Sequence, residues 1–132
     1  MKAIKGINHV GIRVSSLAKA RAFYEQLGFD FIAGPIGPEP VAIMEHPSGV
    51  NINLILNADT DATQNILMDV PERHTGYTHI ALDVNDIKAI EASLNELNIQ
   101  ITEGPITLPN GAVMLFIRDQ DHNVIEFHQS AP

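Results

Sequence analysis

His9, His79 and Glu126 are the residues of this chain whose types and spacing could gather a metal ion. Asn8-His9-Val10-Gly11-Ile12-Arg13-Val14 returns as Thr78-His79-Ile80-Ala81-Leu82-Asp83-Val84, so the histidines hold one slot of a repeated segment, 79 − 9 = 70 residues apart. Leu27-Gly28-Phe29 returns at the same offset as Leu97-Asn98-Ile99. The segment His46–Asn53 returns as Asp119–Glu126 at an offset of 126 − 53 = 73, so the second copy is slightly longer. Side chains alternate faces along a strand. If the copies pair about a pseudo-twofold axis, both imidazoles point into one cleft, and Glu126 joins them from the last strand of the second copy. Asn53 holds that slot in the first copy. Two neutral imidazoles and a carboxylate suit one divalent ion of borderline softness: Zn, Ni, Fe, Mn or Co. Three protein ligands leave positions open for water and substrate, as a catalytic metal requires. The competing reading of either histidine alone is a hydrogen-bonded core residue. Glu126 resists such a reading, because a carboxylate between Ile125 and Phe127 is costly to bury unless it is paired or metal-bound.

His128 lies two residues past Glu126 and shares its face. An imidazole titrates near neutral pH, so His128 could exchange protons with a substrate; the alternative is a frayed C-terminal residue. Glu126 and His128 are therefore the candidate catalytic residues. His46, His74 and His122 fall in turns or in the segment between copies and are read as surface residues. Phe23 and Tyr24 belong to a helical apolar stripe and are read as core.

The elements that must position these groups follow from periodicity. Residues 7–14 alternate as a strand. Ser15 or Ser16 caps a helix whose stripe is Leu17, Ala20, Phe23, Tyr24 and Leu27, ended by Gly28. Short strands follow at about Asp30–Ala33, Val41–Glu45 and Asn51–Leu56. The second copy repeats the plan. Ile80–Val84 is a strand, and Asn85 or Asp86 caps a helix carrying Ile87, Ile90, Leu94 and Leu97. Strands then fall at about Thr102–Glu103, Val113–Arg118 and Val124–His128. The Gly-Pro segments 34–40 and 104–111 read as loops. The expected fold is α+β: two tandem βαβββ modules forming a curved mixed sheet around a metal cleft, with the helices outside. Module one spans about 5–57, a linker with one helical turn about 58–77, and module two about 78–129, within a single domain of residues 1–132.

The chain has no cysteine, which excludes disulfides, thiolate metal sites and a cysteine nucleophile. Its 16 acidic against 8 basic residues, a net charge of −8, argue against nucleic acid as a partner. No apolar run could span a bilayer and no signal-peptide pattern opens the sequence, so neither a membrane partner nor secretion is expected and a cytoplasmic location is the default.

The chain resembles the vicinal oxygen chelate superfamily, the glyoxalase / bleomycin resistance protein / dioxygenase group. The resemblance rests on His9-Val10-Gly11-Ile12, Phe23-Tyr24-Glu25-Gln26-Leu27-Gly28-Phe29, His79-Ile80-Ala81-Leu82 and the closing Asp119–Phe127. It implies paired βαβββ modules curved around a divalent metal held by His9, His79 and Glu126, a small-molecule substrate chelated through vicinal oxygens, and a homodimer. It also implies that Arg13, on the strand face of His9, contacts a substrate carboxylate. Two departures stand out. The slot of Asn53 usually holds Glu or Gln in glyoxalase I and methylmalonyl-CoA epimerase-like members, so Asn53 is left as a weak ligand, a substrate hydrogen-bond partner or a structural residue, and it cannot be a base. The closing turn carries Gln120 and His122 where Pro and Gly are usual. Three activities follow from the resemblance: a glyoxalase- or epimerase-like lyase or isomerase; an Fe(II) extradiol-type dioxygenase with a two-histidine, one-glutamate triad; and a non-catalytic, resistance-type binding protein.

Overall fold

The structure, a computed structural model, describes residues 1–61 and 63–132. The chain divides into two compact units, Met1–Asp61 and Ala62–Pro132. Each is a βαβββ module, so the α+β reading holds, and the strands form two four-stranded mixed sheets, one per unit.

In the first unit β1 (Val10–Arg13), α1 (Leu17–Gln26), β2 (Asp30–Ile36), β3 (Val41–Glu45) and β4 (Asn51–Ile55) form a sheet of order β1-β4-β3-β2, with β1 parallel to β4 and the other pairs antiparallel. In the second, β5 (His79–Asp83), α2 (Ile87–Glu96), β6 (Ile101–Thr107), β7 (Val113–Arg118) and β8 (Val124–Gln129) form β5-β8-β7-β6 with the same pairing senses.

Both helices start and stop at matched residues. The Ser16 hydroxyl accepts from Lys19 N at 3.3 Å, and Asp86 Oδ1 accepts from Lys88 N at 3.1 Å and Ala89 N at 3.0 Å, satisfying amides of the first turn. At the other end Gly28 (φ 90°) and Asn98 (φ 56°) turn the chain left-handed, and Phe29 N and Ile99 N then donate to Tyr24 O and Leu94 O. The apolar stripes are buried against the sheets: Val14, Ala20, Tyr24, Ala42, Met44, Ile52 and Leu54 in the first unit, Ile87, Leu94, Leu115, Ile117, Ile125 and Phe127 in the second. Tyr24 is core as expected, whereas Phe23 is only half-buried, edge-on to the Tyr24 ring.

Three expectations are corrected. First, β2 and β6 run on to Ile36 and Thr107, through Gly34-Pro35 and Gly104-Pro105. These dipeptides make bulges in edge strands, where proline's missing N–H costs no ladder bond. A Cβ on Gly34 would lie 2.6 Å from Ala42 Cα and one on Gly104 2.7 Å from Met114 O, so close backbone approach, not a loop, explains both glycines. Second, β1 begins at Val10, which leaves His9 just ahead of it. Third, the expected linker 58–77 (Ala62 lies outside the described residues) has its one helical turn, with Met68 N and Asp69 N both donating to Asn65 O at 3.2 and 2.8 Å, but its later part is tied to the second unit rather than free between the copies. Asn65 Nδ2 donates to His122 O at 3.1 Å, and Asp69 takes a two-pronged bond from Arg118 Nη1 and Nη2, each at 2.9 Å.

Candidate functional site

Strand alternation gives each sheet one face packed on its helix and one open face. In the second unit Ile125 and Phe127 are buried under α2, so Glu126 and His128 lie on the opposite face. The register sets their neighbours: Glu126 pairs with Ala81 on β5 and Phe116 on β7, and His128 pairs with Asp83 and Met114.

Glu126 is 7% exposed, a buried carboxylate as its apolar neighbours in sequence imply. Both of its oxygens are engaged. Oε2 stands 3.0 Å from His79 Nε2, and Oε1 stands 2.8 Å from His128 Nδ1. The carboxylate thus sits between two imidazoles and bonds each through a different oxygen. That arrangement offsets its desolvation, since a buried charge is tolerated where it is paired and hydrogen-bonded. His79 is the more open of the two, with its ring edge-on to Phe116 at 6.1 Å between centroids.

The expectation that His128 is a frayed end does not hold. It lies inside β8, and its carbonyl accepts from Val84 N at 2.9 Å, so its backbone is fixed. A carboxylate only accepts, so Glu126 Oε1 places the His128 proton on Nδ1 and leaves a lone pair on Nε2. That is the tautomer a general base needs.

The residue before each repeated histidine meets its other nitrogen. Thr78 Oγ1 lies 2.9 Å from His79 Nδ1, and Asn8 Oδ1 lies 2.8 Å from His9 Nδ1. An amide oxygen can only accept, so Asn8 leaves His9 Nε2 with its lone pair. Glu126 Oε2 accepts from His79 Nε2, so the Thr78 hydroxyl donates to Nδ1, and it can turn to accept from Nδ1–H if Nε2 gives up its proton to a ligand. Metal-binding histidines are commonly held this way through their second nitrogen. Asn8 and Thr78 were missed in reading the sequence for reactive groups, although the repeat itself aligns them.

In the first unit Asn53 pairs with Gly11 and Ile43, the slot that Glu126 fills between Ala81 and Phe116. Arg13, at the end of β1, is 60% exposed; its Nε donates to Asn57 Oδ1 at 3.0 Å, and its Nη2 lies 3.7 Å from Glu39 Oε1. Of the sequence-derived site residues, the second unit therefore brings His79, Glu126 and His128 together, while in the first His9 lies just ahead of β1, Arg13 at its end and Asn53 on β4. Of the three histidines read as surface residues, His74 is exposed, His46 is half-buried against Phe29, and His122 sits at φ 64° in the β7–β8 turn.

Among the described residues no three His, Asp or Glu side chains are already gathered as a metal cage. The His79–Glu126 pair nevertheless offers the donor types a divalent ion takes, an imidazole nitrogen and a carboxylate oxygen, here hydrogen-bonded to each other at 3.0 Å.

Residues 6–127 match the family model described as the Glyoxalase/Bleomycin resistance protein/Dioxygenase superfamily. The chain belongs to that superfamily. Methylmalonyl-CoA epimerase, mitochondrial, of Bos taurus is 26% identical to it over 123 residues, 87% of this chain and 67% of that one. The crystal structure of the glyoxalase family protein from Enterococcus faecalis superposes with a TM-score of 0.75 at 27% identity, covering 94% of this chain and 97% of that one. Lactoylglutathione lyase from Agrobacterium tumefaciens shares the fold, with a TM-score of 0.71 at 17% identity over 97% and 96% of the two chains. Superfamily members commonly use a divalent metal and bind small molecules. No described helix is long and apolar enough to cross a membrane.

Proposed function

We propose that this chain is a metal-dependent lyase or isomerase of the glyoxalase/epimerase type, acting on a small oxygenated carbonyl compound. The observation that carries the reading is the buried Glu126, with Oε2 on His79 and Oε1 on His128. His79 and Glu126 are the ligands of the second unit, and His9 is the sequence-derived third. A bound divalent ion supplies Lewis acidity to the substrate's oxygens.

The chain's own groups do the rest. His128 takes the proton from the substrate carbon on Nε2; in a glyoxalase it returns it to the neighbouring carbon, whereas inversion in an epimerase requires a second donor, such as water, to deliver a proton to the opposite face of the enolate. Glu126 orients that imidazole and stabilises it while it is charged, so its role is ligand and positioning group rather than base. Asn53 is a hydrogen-bond donor to substrate, and Arg13, once released from Glu39, is a carboxylate partner. The protein works as a homodimer in the cytoplasm on this reading.

The test uses the epimerase relative's own substrate. Protein purified without oxygen is analysed for metal, then incubated with methylmalonyl-CoA in D2O while the α-proton is followed by NMR. Metal-dependent loss of that proton is expected, slowed about 10²–10⁴-fold in His128→Ala, with stoichiometric metal lost in Glu126→Gln. Stoichiometric metal without any α-proton loss overturns the epimerase assignment. A second reading, an Fe(II) dioxygenase, is favoured by Asn53, because a two-histidine, one-carboxylate triad needs no second acid. Bound iron and oxygen uptake with catechols would establish it. Failure to take up any metal leaves a binding protein.

A further inference from the structure

The open face beside Glu126 is not uniformly polar. Phe116 pairs with Glu126 across β7–β8 and stands edge-on to His79; Met114, two residues earlier on the same face, pairs with His128; and Ile106 pairs with Met114 from β6. All three are half-buried. On the other side of Glu126 the partner is Ala81, which leaves the carboxylate's β5 flank low. The first unit differs at the matched slots. There Asn53 pairs with Ile43, and Val41 pairs with Ile55, so the second unit has a larger, aromatic and sulfur-bearing pair next to its acid. An aromatic edge and a thioether both favour contact with a flat π-system over contact with a short alkyl group.

We infer that this site prefers, over short alkyl counterparts, ligands that carry an aryl substituent directly beside their chelating oxygens, seated on Phe116 and Met114: aryl-substituted 2-oxo or 2-hydroxy carbonyl compounds. This rests on the proposed metal reading of His79 and Glu126, and deepens it by naming the class of substrate body. The wall sits within one ring's reach of His79, so a substituent attached next to the chelating oxygens meets it.

Hydroxamates present two adjacent oxygens to a metal and isolate the effect of the substituent. Co(II)-loaded protein is titrated with acetohydroxamate and with benzohydroxamate, and binding is read from the cobalt visible spectrum. Benzohydroxamate is expected to bind at least about tenfold more tightly in the wild type. That ratio should fall to about threefold or less in Phe116→Ala, and partly in Phe116→Leu, which preserves burial should the alanine variant fold poorly. Equal affinity for the two probes, or a ratio untouched by both variants, overturns the inference while leaving the metal reading intact. If neither probe changes the spectrum, the metal reading fails and takes the inference with it.

Discussion

Glu126 shows how a single side chain can be legible in a sequence while its partners are not. Its position between Ile125 and Phe127 demands a partner, and the repeat points to His79. That His128 takes the second oxygen depends on both side chains leaving one face of β8 at adjoining turns of the pleat, which a reading of residue types cannot decide against fraying. Phe116 escaped notice for a similar reason: it sits in an apolar run, Val113–Ile117, and only the register with Glu126 moves it from core to open face. Thr78 is the simplest of these positioning groups to test. Replacing it by valine keeps the shape and removes the oxygen 2.9 Å from His79 Nδ1. Cobalt affinity measured by competitive titration should fall about tenfold, with the circular dichroism spectrum unchanged; an unaltered affinity would mean that His79 is held by other contacts.

Among the elements, the helices and the β3–β4 and β7–β8 hairpins are legible in the sequence because caps and alternation are local. Ser16, Asp86, Gly28 and Asn98 each act within a few residues of themselves. The Gly-Pro dipeptides misled because the same composition marks a loop or an edge bulge, and the choice is made by a neighbouring strand. The β7–β8 turn illustrates the cost of a local departure. Gly49 occupies the left-handed position (φ 93°) in the β3–β4 turn, and His122 occupies its counterpart at φ 64°. A side chain in that region costs roughly 1 kcal/mol, so His122→Gly should raise stability by up to about that amount, less glycine's own chain entropy. Thermal or urea unfolding would show it, and a lower midpoint would mean that the imidazole makes a compensating contact.

The segment ahead of β5 contributes through Asp69. The fork from Arg118, with the backbone N–H of Asn65 next, holds the Asp69 carboxyl below the usual aspartate value. A group whose value is lowered on folding stabilises the native state fully above its unfolded value, and that contribution is lost as pH falls through the lowered folded value. Asp69→Asn should therefore be less stable than wild type at neutral pH, by up to about 1 kcal/mol for so accessible a pair, with the gap starting to narrow below about pH 4 and closing only once pH has passed the lowered folded value. A gap that persists in acid would assign the loss to packing.

For the whole molecule, duplication is the governing fact, and most of it was legible. Each unit has its own helix, sheet and core, and the same slots recur under the same register: Gly11 and Ala81, Asn53 and Glu126, Ile43 and Phe116. The function-bearing differences are substitutions within a shared frame. The second unit holds the acid, the additional imidazole and the aromatic wall, and the first holds Arg13 and an amide. Family membership follows from the frame; the proposed reaction rests on those few substitutions.

One feature of the sheets bears on how the protein is made. The last strand of the second unit, β8, lies inside its sheet, between β5 and β7. Within that sheet β5 has no other neighbour. A nascent chain leaves the ribosome N-terminal end first, so β5 and the β6–β7 hairpin emerge with their central gap unfilled. His79 is exposed to the cell well before Glu126 exists to meet it. The first unit, whose own inner strand β4 ends at Ile55, can close much earlier. The candidate site is thus the last part of either unit to form during synthesis, and no half-made chain can assemble it.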